Sequence, residues 1–260
     1  MTFLPNTAHL QFGSFWVGIV GWILSAISTG LIEWRIWYVS DTSIITSGVA
    51  WVGIWKACFF SDKLVSSELK VMYCQGINIS DPFAPTEIYV AQGLMVVAII
   101  AGAAAKASSV YAFRNIYFGI NESRPIRIAF SLGGALFIFS GVCVLISVSW
   151  NMNSVVENRP INFPSNFHMP SSPSRQEIGA GIAVGIVSSV LSIFTGLVFL
   201  VYKFPERQNP RVQPLVPRIA DFDGSSIGTS FSSRSVSAVS RDIRKSLHGE
   251  DNLAFQSEKL

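Results

Sequence analysis

Four long apolar segments constrain this 260-residue chain more than any other feature of its sequence. A helix needs roughly 20 mostly apolar residues to cross the hydrocarbon core of a bilayer, which is about 30 Å thick. Only 13% of the residues are charged, and the mean hydropathy is +0.43, which is high for a soluble domain. We therefore predict a membrane protein, mainly α-helical, with a bundle of four spanning helices at residues 12–32, 88–113, 128–150 and 178–202.

The first apolar segment has an alternative interpretation as a cleaved signal peptide, because it follows a short N-terminus. Residues 1–11 contain no Lys or Arg, whereas a signal peptide begins with a positively charged region. The segment is also longer than the usual apolar core of about 7 to 15 residues. We therefore predict that it is a spanning helix.

Basic residues predict the orientation of the spans, since Lys and Arg near the end of a span resist transfer across the membrane. The short link between the second and third segments contains Arg114, Arg124 and Arg127, whereas the basic residues of the link at 33–87 are widely spread. We predict cytoplasmic termini and extracellular loops at 33–87 and 151–177. Beyond the membrane domain at 1–203, the polar composition of residues 204–260 predicts a disordered cytoplasmic tail.

The first loop is rich in aromatic and β-branched residues, which favour strands, and we predict that it forms a small β-sheet. Cys58 and Cys74 both lie in this loop, on the predicted oxidising side of the membrane, and we expect a disulfide between them. The alternative is a pair of unbonded, buried thiols. Cys143 lies within a predicted span and is expected to be a small packing residue.

Tryptophan is frequent in the same loop. Trp34 directly follows the first predicted span, so its ring is a candidate for the aromatic belt at the membrane surface. That interpretation does not account for Trp51 and Trp55, which lie deeper in the loop. We predict an aromatic cluster that holds the folded loop on the ends of the helices.

The sequence contains two glycosylation acceptor triplets. Asn78-Ile79-Ser80 lies in the predicted extracellular loop, so Asn78 is a candidate for modification. Asn121-Glu122-Ser123 falls on the predicted cytoplasmic side and is expected to stay unmodified.

One group of loop residues resembles a known family signature. The claudins and their four-span relatives have a Trp followed, in one loop, by Gly-Leu-Trp and two cysteines, and the matching residues here are Trp34, Gly53, Ile54, Trp55, Cys58 and Cys74. Arg35 after the first span and the run Gln176-Glu177-Ile178-Gly179-Ala180-Gly181 entering the fourth are also similar to the family. The resemblance covers about residues 12–202.

The sequence departs from the family pattern at three places. Ile54 replaces the usual Leu, and Cys58 and Cys74 lie further apart than is usual. Gln92 stands near the start of the second span, where claudins commonly have Arg. The chain therefore resembles a divergent member of the family.

The resemblance implies a left-handed four-helix bundle topped by a small extracellular β-sheet built from both loops. The implied function is that of a tight-junction structural protein, which mediates cell–cell adhesion and a paracellular barrier. Its implied partners are claudin-like chains in the same and in the opposing membrane. The rival function is an auxiliary subunit of an ion channel, since relatives that share the loop signature serve that role.

Two further partner contacts are expected from the resemblance. Phe163, Phe167 and Met169 in the second loop are candidate contact residues, and the alternative is an ordinary connector with a few apolar side chains. Claudins commonly end in a motif that binds scaffold PDZ domains, and Leu260 fits its hydrophobic last position, although Glu258 departs from the usual pattern.

The sequence shows no convergent set of acids, bases or metal ligands, so we expect no catalysis, no cofactor and no nucleic-acid partner. Lys106 is a charged residue inside a predicted span, and we expect its ammonium to reach the lipid headgroups instead of serving transport. Four charges between the two cysteines balance, which favours a barrier over a charge-selective channel: Asp62, Lys63, Glu68 and Lys70.

Overall fold

The computed structural model describes residues 4–64, 72–79, 81–118 and 123–201. Each of the four long helices within these residues includes a stretch long and apolar enough to cross a membrane. The predicted class of a mainly helical, four-span membrane protein is therefore confirmed. The helices are α1 (Leu4–Gly30), α2 (Thr86–Tyr117), α3 (Ser123–Val156) and α4 (Ala180–Leu200), and a short 3-10 helix lies at Ser165–Phe167.

Helices α2 and α3 are longer than the bilayer requires. They contain 32 and 34 residues, and at a rise of about 1.5 Å per residue they are roughly 48 and 51 Å long. The third predicted helix ends at residue 150, which is too early, because α3 continues to Val156. Asn158 then turns the chain with a left-handed φ of 53°, a conformation that Asn adopts more readily than most residues.

Five short strands form one antiparallel sheet at one end of the bundle. They are β1 (Arg35–Tyr38), β2 (Val49–Val52), β3 (Lys56–Phe60), β4 (Met72–Gly76) and β5 (Arg175–Ile178). The order β4-β3-β2-β1-β5 places the strand from the second loop beside the first strand of the first loop, so the expected sheet from both loops is confirmed. Ile178 belongs to this sheet, and the predicted fourth span therefore begins two residues too early.

The two faces of the sheet differ in burial, because successive residues of a strand point to opposite sides. The inner face lies on the helix ends, and six of its side chains are at most 1% exposed: Arg35, Trp37, Ala50, Val52, Ala57 and Phe59. The other face, called the outer face below, is partly exposed. It includes the half-buried side chains of Ile36, Tyr38, Val49, Trp51, Phe60 and Met72.

A disulfide crosses the outer face between neighbouring strands. Cys58 of β3 and Cys74 of β4 are directly paired in the sheet, with their Cα atoms 4.2 Å apart and an S–S bond of 2.03 Å. The predicted bond between these two cysteines is confirmed. Cys143 is buried as a free thiol within α3.

Trp34 is buried where the sheet meets α1 and α4, and the membrane-belt interpretation is wrong for this residue. Its side chain is 1% exposed, and its indole N–H donates to the carbonyl of Ser28 at 2.8 Å. Gly181 makes room for the ring, since a Cβ there would lie 2.5 Å from Trp34 Cδ1. The Gly181 N–H also donates to the carbonyl of Glu33 at 2.7 Å.

The predicted aromatic cluster is correct only in part. Trp55 packs against the core beneath the sheet, together with Trp34 and Trp37. Trp51 points to the outer face instead, where its ring meets that of Phe60 edge-on at a centroid distance of 5.8 Å. The alternation of strand β2 sends Trp51 outward, because Ala50 and Val52 take the inner positions.

Several sequence predictions lie outside the described residues. They concern the tail at 204–260 with Leu260, the residues Ser80 and Asn121 of the two acceptor triplets, and Glu68 and Lys70 between the cysteines.

Replacing Gly181 by Ala is expected to destabilise the protein by about 1 to 3 kcal/mol, because the new methyl group collides with the Trp34 ring. Gly93→Ala is the matched control, since nothing lies within 4 Å of an added Cβ at this helical glycine. The control is expected to keep or slightly raise stability, as Ala favours a helix by up to about 1 kcal/mol over Gly. Thermal unfolding in detergent measures both, and equal midpoints would contradict the packing described for Trp34.

Replacing Cys58 and Cys74 by Ser is expected to lower delivery to the cell surface, because the β3–β4 pair loses its cross-link. The bond joins residues 16 apart, and closing a loop of this size stabilises a fold by about 3 kcal/mol in the chain-entropy model. Surface biotinylation measures delivery, with Cys143→Ala as the control that leaves the bond intact. Normal surface levels, together with unchanged gel mobility on reduction, would refute the role of the bond.

Candidate functional site

The turn between β2 and β3 carries three signature residues and touches the end of α1. The Gly53 N–H donates to the carbonyl of Lys56 at 2.9 Å, which closes the turn. A Cβ on Gly53 would lie 2.9 Å from the carbonyl oxygen of Leu31. Glycine therefore lets the turn approach the helix, while Ile54, only 1% exposed, fills the core beside it.

Gln92 ties this turn to α2. Its side chain is fully buried, and its Nε2 donates to the carbonyl of Ile54 at 2.6 Å and to that of Ile77 at 2.9 Å. Ile54 follows β2 and Ile77 follows β4, so one amide group joins two parts of the first loop to a membrane helix. Gln92, the residue that departs from the family pattern, therefore holds the first loop on α2 through two hydrogen bonds.

Arg35 lies at the centre of a buried polar cluster between the sheet and the helices. Its Nη2 donates to Glu87 Oε1 at 3.2 Å and to Asn151 Oδ1 at 2.8 Å. The Ser154 hydroxyl donates to the same Glu87 oxygen at 2.7 Å, and Asn151 Nδ2 donates to the Glu87 carbonyl at 2.9 Å. These four residues, called the junction cluster below, connect β1 to α2 and α3.

The junction cluster contains two opposite charges, Arg35 and Glu87, that are both buried. Arg35 is 1% exposed and Glu87 is 5% exposed. Burial lowers the pKa of the Arg35 guanidinium from its ordinary value, while the Glu87 carboxylate opposes that change. Because an arginine stays charged in proteins, each of these ions needs its partner in this position.

The second loop packs beneath the sheet more than the sequence suggested. Phe167 and Met169 are 2% and 8% exposed, so these two candidate partner contacts belong to the core of this chain. Phe163 is half-buried, with its ring centroid 5.6 Å from that of Trp37 and 5.4 Å from that of Phe167. Of the three candidates, Phe163 keeps a partly exposed surface.

A cleft of about 450 Å³ opens between β5 and the end of α3. Its lining combines Val155, Val156 and Ile178 with polar residues of β5. Val156 and Ile178 are 72% and 44% exposed. Because β5 is an edge strand of the sheet, its backbone also has hydrogen-bonding positions on the side away from β1.

The charges beside this cleft are paired. Arg175 forms an ion pair with Glu177, and Glu177 also accepts a hydrogen bond from the Tyr38 hydroxyl at 3.1 Å. The bond to this carboxylate raises the pKa of Tyr38 above its ordinary value. The described rim of the sheet at β5 therefore presents balanced charge.

Asn78 lies on an exposed turn between β4 and α2. Its backbone N–H donates to Asp81 Oδ2 at 2.7 Å, and its side chain is exposed. The amide that a glycan would modify is therefore accessible from solvent.

Sequence reasoning missed most of the junction cluster. Asn151 and Ser154 were assigned to a loop, and Glu87 was assigned to a loop end. A signal was present, because Ser147, Asn151 and Ser154 have the spacing of one helical face. Extending the third predicted helix by two turns would have placed these polar residues together.

Comparison with known proteins agrees with this architecture. Residues 19–201 match the family described as PMP-22/EMP/MP20/Claudin tight junction. Human Claudin-19 is 30% identical over 212 residues, which cover 79% of this chain and 85% of that protein. Mouse Claudin-14 is 30% identical over 74% of each chain, and Claudin-4 of Bos taurus is 26% identical over 77% of this chain and 88% of that protein.

The family match begins within α1 and covers the other three helices and the sheet, including the paired cysteines and the turn at Gly53, Ile54 and Trp55. The resemblance noted in the sequence therefore rests on most of the membrane domain as well as on its signature residues. The chain belongs to the claudin family of tight-junction proteins.

Proposed function

We propose that this chain is a structural protein of tight junctions, which mediates adhesion and forms a paracellular barrier by assembling with claudin-like chains. The assembly includes neighbours in the same membrane and partners in the opposing membrane. In this proposal the sheet lies outside the cell and both termini lie in the cytoplasm. The gathering of Arg114, Arg124 and Arg127 at the end of the bundle opposite the sheet supports that orientation.

The observation that carries the proposal is the composition of the outer face. Six of its seven half-buried side chains are apolar or aromatic, and the seventh is Glu177 of β5; the six are Ile36, Tyr38, Val49, Trp51, Phe60 and Met72. Contiguous apolar patches on a surface mark sites of protein interaction. Aromatic residues and Met are also enriched in protein interfaces. The disulfide between β3 and β4 keeps this face in one shape.

The cleft beside β5 supports lateral assembly. It offers an apolar wall at Val156 and Ile178 next to the free edge of a strand. A side chain from a neighbouring chain fits such a cleft, while an extended segment can hydrogen-bond to the strand edge. The cleft opens at one edge of the sheet, and β4 forms the other edge. Copies that follow one another head to tail in one membrane bring the β5 edge of one copy beside the β4 edge of the next.

Paired charges favour a barrier over a charge-selective pore. Arg35 pairs with Glu87 in the interior, and Arg175 pairs with Glu177 at the rim. A selective path needs an excess of one charge along its walls. These pairs leave no such excess on the part of the sheet that they occupy.

Three finer features belong to the same proposal. Asn78 carries a glycan on the exposed turn before α2, and Phe163 contributes to contacts with a partner chain. Leu260 binds a scaffold PDZ domain through its carboxylate and its hydrophobic side chain.

Expression of this chain in epithelial cells is expected to raise transepithelial resistance, and Trp51→Ser is expected to remove most of that rise. The reason is that a central aromatic side chain contributes about 2 kcal/mol or more to an interface. Lys56→Ser is the matched control, because Lys56 is an exposed polar residue of the same sheet. Surface biotinylation is the control that checks whether both variants reach the membrane.

Two other outcomes would contradict this proposal. Unchanged resistance and a uniform distribution over the plasma membrane, with altered current from a co-expressed ion channel, would reject the junction proposal in favour of the auxiliary-subunit role. Because Lys56 lies on the same face, loss of resistance with Lys56→Ser as strong as with Trp51→Ser would reject the apolar side chains of the outer face as the source of the contact.

Breaking the ion pair of the junction cluster is expected to destabilise the membrane domain strongly. Arg35→Met or Glu87→Leu alone leaves a buried charge without its partner, at a cost of roughly 3 to 5 kcal/mol. The double variant is expected to recover much of the loss, since an apolar pair needs no compensation. Thermal unfolding in detergent measures the three variants.

Arg159→Met is the control for this cycle, because Arg159 pairs with Glu157 on the surface with about half of each side chain exposed. Its expected cost is below about 1 kcal/mol. Additive losses in the Arg35 and Glu87 double variant would show that the two residues act separately.

A further inference from the structure

Lys106 occupies an unusual position between α1 and α2. Its ammonium lies over the ring of Trp22, 2.7 Å from the ring centroid. The Trp22 indole N–H donates to the carbonyl of Ile99, two helical turns toward the sheet. The expectation that the Lys106 ammonium reaches the lipid headgroups is therefore wrong, because the side chain is directed into the bundle and toward the sheet end.

The depth of Lys106 follows from the aromatic layer at the far end of the bundle. The ring of Phe113 lies 5.2 Å from that of Phe130, which lies 5.5 Å from that of Phe199. Phe199 is next to the last residue of α4, whose 21 residues match the thickness of the hydrocarbon core. Lys106 precedes Phe113 by seven residues, or about 10 Å along the helix. Its charge therefore lies well inside the membrane.

This charge has no acidic partner at its own depth among the described helical residues. The one acidic side chain in α1 to α4 is Glu87, which is 19 residues away at the sheet end and is paired with Arg35. A second copy in the same membrane presents Glu87 at the same distant level. Ionisable groups inside a membrane are costly and usually pair with one another. Neither the described helices of this chain nor those of a copy supply an acidic side chain at this depth.

The surface beside Lys106 admits another helix. Lys106 itself is half-buried, and its neighbours Ala103 and Ala107 are exposed. Such small side chains let helix backbones approach each other closely in a membrane. Ile100 and Val110 extend the exposed strip by a turn on either side, at 64% and 52% exposure. Helix α1 packs mainly along α4, and α2 packs mainly along α3. The strip therefore lies where α1 and α2 meet, which is the loosest of these helix contacts.

We propose that this strip, the α1–α2 seam around Lys106, binds a transmembrane helix of a different membrane protein that carries an Asp or Glu near mid-bilayer. The carboxylate pairs with the Lys106 ammonium while Trp22 supports the cation from the other side. The phosphates of lipid headgroups lie at the level of Arg114 and beyond, about 12 Å further along α2 than Lys106. A helix is therefore the source of carboxylate that reaches this depth.

The test uses a synthetic helix as the probe. This chain is reconstituted in nanodiscs of phosphatidylcholine with a Leu/Ala transmembrane peptide that carries one Glu at its centre, so that either direction of insertion brings the carboxylate near Lys106. Association is followed by energy transfer between fluorophores. The peptide with Glu is expected to bind on the order of tenfold more tightly than the same peptide with Gln, as one intramembrane contact of this kind is worth about 1 to 2 kcal/mol. Lys106→Met is expected to abolish the difference.

Equal binding of the Glu and Gln peptides would overturn the proposal, and so would a difference that persists in Lys106→Met. If that variant fails to fold, the comparison of the two peptides on the unchanged chain still decides the matter. Loss of the Glu preference when phosphatidylserine replaces part of the phosphatidylcholine would also overturn it, because Lys106 would then bind lipid headgroups.

Discussion

The close approach of the sheet to the start of α4 is the contact on which the architecture depends. The N–H groups of Gly179 and Gly181 donate to the carbonyls of Trp34 and Glu33. Side chains at either glycine would overlap these residues. These contacts hold β5 beside β1 and α4 beside α1, so both loops and two of the four spans are positioned together.

Polar contacts then set the sheet on the other two helices. The junction cluster uses Arg35 from β1, Glu87 from α2 and Asn151 with Ser154 from α3, and Gln92 adds two bonds from α2 to the first loop. Hydrogen bonds have direction, whereas apolar burial does not. The cluster therefore determines how the sheet is rotated on the bundle, which in turn determines where the outer face points.

The sequence was sufficient for features that depend on local composition. Four apolar runs predicted the spans, and Trp34, Gly53 and the two cysteines indicated the family and its sheet. The sequence was insufficient where tertiary contacts decide the direction of a side chain or the end of a helix. Trp51 turns outward because Ala50 and Val52 take the inner positions. Helix α3 continues past Trp150 because its polar residues find partners under the sheet. Phe167 and Met169 were assigned to the surface, as their burial depends on rings contributed by other segments.

The pairing of β1 with β5 also dictates an order of events during synthesis. Residues 35 and 175 are 140 positions apart, a stretch that a ribosome translates in roughly 7 to 28 s at about 5 to 20 residues per second. During that interval α2 and α3 are made, and the edge of β1 that later receives β5 stays open. A chain that stops anywhere before β5 therefore leaves this strand edge available for pairing with other strands.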